Sequence, residues 1–186
     1  MSVSLPTFDE VLSYWFGGEQ RVNYKTKWFP GGNENAEELV DEEVFRMFGD
    51  LLMAALDRRL QHWREETTRS CVALVVVVDQ FSRHIFRHRR LSLEDPERTR
   101  ADSYALEVAT GLTLLPNWSL NLSMAEYVFS LMPFRHSATI EHLKMVMASI
   151  EEKGISEIWN NELLNRFRKQ TIRRMQHLQD RAKVIF

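Results

Sequence analysis

Apolar residues recur along most of the chain at intervals of three and four, the spacing that lines one face of an α-helix. Thr7-Phe8-Asp9-Glu10 places a hydroxyl at a cap position and a carboxylate three residues on, which predicts a first helix from about Phe8 to Phe16. Gly17 and Gly18 end it. The stretch from Glu19 to Asn33 reads as an irregular loop whose aromatics Tyr24, Trp28 and Phe29 must fold back onto other parts of the protein. From Glu34 to about Trp63 the stripe Leu39, Val40, Val44, Phe48, Leu51, Leu52, Ala55, Leu56 and Leu60 predicts one long helix, or two divided at Gly49.

The segment from Ser70 to Arg87 is rich in Val, a residue that favours strands, yet it is too long for a buried strand and contains neither Gly nor Pro. Leu74, Val78, Phe81 and Ile85 fall on one helical face, so the spacing predicts a central, largely buried helix. Asp95-Pro96 opens the next helix, with the stripe Ala101, Tyr104, Ala105, Val108 and Leu112, and Gly111 is its expected end. Ser119 or Ser123 caps a further helix that runs through Leu131 and stops at Pro133. Ser137 caps another, with Ile140, Leu143, Met147 and Ile150 ahead of Gly154, and a last helix runs from about Ser156 to Lys183. The expected plan is all-α: one domain over residues 1–186, with seven or eight helices in antiparallel pairs and no fixed-period repeat.

Composition supports that plan. With 7 Gly and 5 Pro among 186 residues, turn-formers are too few for a many-stranded sandwich or barrel. The lone Cys71 sits in an apolar run and fits a reducing, cytoplasmic setting. Met1 to Glu10 shows no secretory pattern, and the longest apolar run, Cys71 to Val78, is far short of the ~20 residues of a membrane helix. A net charge of −2 gives no overall attraction to nucleic acid. Charge is nevertheless uneven: Glu34 to Glu43 is acidic, and the last helix carries Arg166, Arg168, Lys169, Arg173, Arg174, Arg181 and Lys183. Those patches could meet each other or pair between subunits of a homo-oligomer; nucleic-acid binding ranks below both, because aromatic interleaving is missing.

The chemistry concentrates in Asp79-Gln80-Phe81-Ser82-Arg83-His84-Ile85-Phe86-Arg87. Asp79 and Arg83 are four apart with the acid first, the favourable order for a helical ion pair, and Arg87 continues the spacing. An Arg at the end of a buried helix needs carboxylates, carbonyls or a bound anion. Two readings follow: an internal ion-pair clamp between helices, or a pocket in which Arg83 and Arg87 hold an anionic group.

Several ordered blocks resemble the family of uncharacterised proteins known as domain of unknown function 924. Val11-Leu12-Ser13-Tyr14-Trp15-Phe16-Gly17 is similar to its opening Val-Leu-x-Phe-Trp-Phe-Gly, and Trp28-Phe29 to its next aromatic pair. The nine residues from Asp79 resemble its Asp-Gln-Phe-Pro-Arg-Asn-Ile-Tyr-Arg, with Ser82 in place of Pro and His84 in place of Asn. Asp102, Ala105, Leu106, Ala109 and Gly111, and then Met132-Pro133-Phe134-Arg135-His136-Ser137, match two later blocks. The resemblance spans roughly residues 8–140. It departs at Ala138, where the family has an acid, and after Glu151, so a divergent or truncated C-terminus is expected. It implies a tetratricopeptide-like, right-handed superhelical array and no established activity.

The remaining constellations are weaker. His84 and His88 have metal-ligand spacing but no third ligand, so no metal and no cofactor is expected. His136-Ser137 suggests a pocket wall and a cap more than a nucleophile, and Trp15, Trp28 and Trp63 are core before they are an aromatic box, Trp28 excepted. The resulting expectation is a scaffold that binds a peptide segment or a small anionic ligand in a polar groove lined by Asp79, Arg83, Arg87, Arg135, His136 and Trp28. The alternative is an enzyme with Asp79 or His136 as acid or base.

Overall fold

In the computed structural model, residues 4–17, 27–28, 34–137 and 139–184 are described. The expected loop from Glu19 to Asn33 lies outside them apart from Lys27 and Trp28, as do Ala138 and the end of the chain after Val184. Among the described residues every regular element is helical, and no helix is long and apolar enough to cross a membrane. The chain packs as two compact units, Met1–Leu120 and Asn121–Phe186.

The first unit begins with α1 (Phe8–Phe16), whose Thr7 and Glu10 make the expected reciprocal cap. The next helix, α2 (Glu34–Leu56), passes straight through Gly49. The break comes after Leu56, where Arg58 takes a left-handed φ of 62°, and the chain resumes at α3 (Trp63–Glu66). The Arg58 guanidinium lies 3.6 Å over the Tyr104 ring and donates to both oxygens of Glu107 at 2.9 and 2.8 Å, which secures the turn by contacts distant in sequence.

The central helix is present, in three parts. α4 (Thr68–Val75) widens into a π-helical segment (Val76–Phe81) and continues as α5 (Ser82–His88). Every residue from Ser70 to Asp79 is buried, because α1, α2 and α6 (Pro96–Thr113) all pack against this rod. In the wide turn the Ser82 amide reaches back five residues to the Val77 carbonyl. The Ser82 hydroxyl meanwhile donates to Val78 O at 2.7 Å, the carbonyl that an ordinary turn would give to the Ser82 amide. Ser82→Ala removes that donor from a buried site and is expected to cost about 1–2 kcal/mol in urea denaturation; an unchanged midpoint would show that the hydroxyl is dispensable.

Asp95 caps α6 with Pro96 at its first position, but Gly111 does not close the helix. A Cβ there would come within 3.2 Å of the Arg64 guanidinium, so Gly111 provides room for a neighbour.

In the second unit, Ser123 and Glu126 form a capping box on α7 (Met124–Ser130). Pro133 starts the short α8 (Met132–His136) instead of ending α7. The cap of α9 (Ile140–Glu152) is Thr139, not Ser137. The last predicted helix is divided at Asn161, whose side chain accepts from the Leu164 amide at 3.0 Å. It yields α10 (Ile155–Asn160) and α11 (Glu162–Val184), and α11 packs on α7, α9 and α10.

Candidate functional site

The π segment carries Asp79 into the interior, where it is 1% exposed. One carboxylate oxygen accepts from Arg83 Nη2 at 3.1 Å and the other from Gln80 Nε2 at 2.5 Å. Arg83 Nη2 also donates to Asp102 Oδ1 on α6 at 2.7 Å, so the guanidinium ties the signature to a second helix. Burial opposes its charge, but Asp79 and Asp102 outweigh that and raise the Arg83 pKa.

Arg87 does not extend this cluster. Steps of four overshoot the helical repeat by about 40° each, so Arg87 has turned toward α2. There its Nε and Nη2 grip Asp41 at 2.5 and 2.6 Å, and Nη1 lies 3.0 Å from Glu37. His84 Nδ1 sits 2.7 Å from the same Asp41. Asp41 is buried, and burial pushes its carboxyl up, but the hydrogen bonds from His84 and Arg87 and their charges hold it below the usual carboxylate range. Asp41 and Asp102 enter the site from α2 and α6, outside the signature. Asp41 had a readable signal: it falls three residues before Val44 on the buried stripe of α2, a carboxylate at a core position.

The other candidates have partners of their own. Trp28 Nε1 donates to the Trp15 carbonyl at 3.0 Å, and its ring packs on Trp15 and Phe16, whereas Trp63 packs edge-on against Phe8. His88 stacks on Phe45 at 4.7 Å, so the two histidines of the signature face different neighbours. In the second unit, Arg135 donates to Gln170 Oε1 at 3.0 Å, and the His136 carbonyl accepts from Arg174 at 3.2 Å. Ser137 Oγ donates to the Phe134 carbonyl at 2.7 Å, and His142 Nδ1 lies 2.6 Å from it.

Open space adjoins the signature on its outer side. A groove of about 460 Å³ runs between α2 and α5. It is lined by Phe45, Gly49, Met53 and Ile85 and by the charged Arg46, Asp50, Arg89 and Glu97. Phe45 and Met53 are 40% and 39% exposed, and Arg89 is bound to Glu97 at 2.6 Å. A smaller depression of about 270 Å³ lies where α2 begins, beside Arg87 and His88. Nothing in the sequence pattern singled out this groove, because Phe45 and Met53 lie off the buried stripe of α2.

Residues 11–182 match the model of a family described as "Bacterial protein of unknown function (DUF924)". The match runs well into α11, beyond the part of the chain in which the motifs are recognisable. No curated protein and no solved structure matches the chain.

Proposed function

The chain belongs to the DUF924 family, and from its own geometry we propose that it is a cytoplasmic helical scaffold that binds a peptide segment in the groove between α2 and α5. The observation that carries this reading is the partly exposed Phe45 and Met53 in a groove whose lining charges, Arg46 and Arg89 against Asp50 and Glu97, balance. Apolar anchors in a cleft with a polar edge are the usual form of a peptide-binding surface. In a tetratricopeptide-like array, which the motif resemblance implies, faces of paired helices are the surface that binds.

The signature then has a supporting role. Arg83 and Arg87 are held by Asp79, Asp102, Asp41 and Glu37, so an anion would have to displace carboxylates already in place. Asp79 is sealed from a substrate by burial, which counts against its use as an acid or base. Cys71, its thiol pushed up to about 11 by burial, is protected and unreactive in a reducing compartment.

Selection of displayed peptides on the full chain tests the reading. Selected peptides should protect the amides of residues 45–53 and 82–90 from hydrogen exchange. Met53→Arg should weaken them by about tenfold or more, roughly 1.4 kcal/mol, with little change in Tm because Met53 is partly exposed. Protection confined to other elements, or failure to enrich any peptide, would overturn it.

A further inference from the structure

Resting on that reading, we propose that the occupant of the groove is a basic amphipathic helix, its apolar face over Phe45 and Met53 and its basic turn over the beginning of α2. The groove and the smaller depression are linked through His88, which lines the depression while its ring stacks on Phe45 in the groove. Together they form one strip along α2 from Glu34 to Met53, about 28 Å at the helical rise, room for a partner helix of five turns.

Charge along the strip is uneven. At the Met53 end, Arg46 and Asp50 offset each other and Arg89 is paired with Glu97. At the other end Glu37 and Asp41 are committed to Arg87, while Glu34 and Glu38 are exposed, with Arg90 the one further cation among the described lining residues. Among the described lining residues the surplus is therefore negative at that end. A Lys or Arg on the occupant meets it. The occupant is helical because this unit, among its described residues, offers no strand edge on which an extended peptide could find backbone partners. A helix satisfies its own backbone and needs only apolar anchors at intervals of three and four.

The test uses fluorescence anisotropy of a labelled synthetic helix on the full chain. The probe carries Leu at positions i, i+3, i+4 and i+7 and Lys in one terminal turn, and its twin carries Glu in place of Lys. The basic probe should bind at least about tenfold tighter than the twin at low salt, and the difference should vanish near 1 M salt, where the screening length is ~3 Å. Glu34→Gln with Glu38→Gln should remove the preference and leave the weaker, apolar part of the binding. Met53→Arg should remove both. Equal binding of the twins, or a preference that survives the double substitution, would overturn the basic partner while the groove stands. Binding of neither probe by a protein that still enriches groove-directed peptides would replace the helix by an extended occupant. Absence of every peptide would defeat both readings.

Discussion

Phe81→Ala is expected to destabilise the first unit by about 3–5 kcal/mol, enough to lower its Tm by roughly 10 °C for a protein of this size. The ring is fully buried and is the meeting point of three elements. It stacks on Phe48 of α2 at 4.4 Å and meets Trp15 and Tyr14 of α1 edge-on at 5.5 and 5.9 Å. Removing it strips contacts from both helices at once and leaves a cavity that rigid neighbours cannot close. Trp15 reports the change directly, since its buried indole should shift its emission to longer wavelength. Phe81→Leu keeps much of the volume and should cost about 1–2 kcal/mol. Phe45→Ala, at a partly exposed ring on the same face of the molecule as the groove, should cost less than either. Equal effects of Phe81→Ala and Phe45→Ala would show that the aromatic junction does not hold the unit together.

The second large effect belongs to Asp41. Its removal leaves Arg87 and His84 facing a space that no other carboxylate fills as well. Breaking a buried pair from one side costs about 3–5 kcal/mol. Arg87 is 43% exposed and can rehydrate, so Asp41→Ala is expected to cost about 2–3 kcal/mol. Acid should expose the same interaction. The folded carboxyl titrates below an unfolded Asp, whose pKa is about 3.9. Its contribution is therefore complete above the unfolded value and is lost as pH falls through the folded one. Stability measured by urea denaturation between about pH 6 and pH 3 should fall in the wild type. In Asp41→Asn part of that fall should be missing, because its amide does not titrate in this range. Parallel pH curves for the two proteins would rule out Asp41 as the acid-sensitive tie.

The two variants separate kinds of information that the chain carries. The helices were legible because apolar spacing of three and four is local, and the caps at Thr7, Asp95 and Ser123 are legible for the same reason. The length of the central rod marks it as a helix. Its π segment is not legible, because all residues from Ser70 to Asp79 are buried and a run with no polar face has no period from which an extra residue could be read. Gly49 and Gly111 look like interruptions in one dimension, yet both lie inside helices. Gly49 deepens the groove between Phe45 and Met53, and Gly111 leaves room for Arg64.

The ion pairs show the same division. Asp79 and Arg83 are neighbours by helical geometry, so the sequence by itself determined that pair, together with the helical class and the family. That Arg87 belongs to Asp41, that Arg83 also reaches Asp102, and that Phe45 and Met53 border an open groove were decided by tertiary structure alone. Spacing along one helix fixes which side chains share its face, but it is silent on which distant helix supplies the opposite charge. Which apolar face stays uncovered depends on the same packing, and it is there that the proposed partner binds.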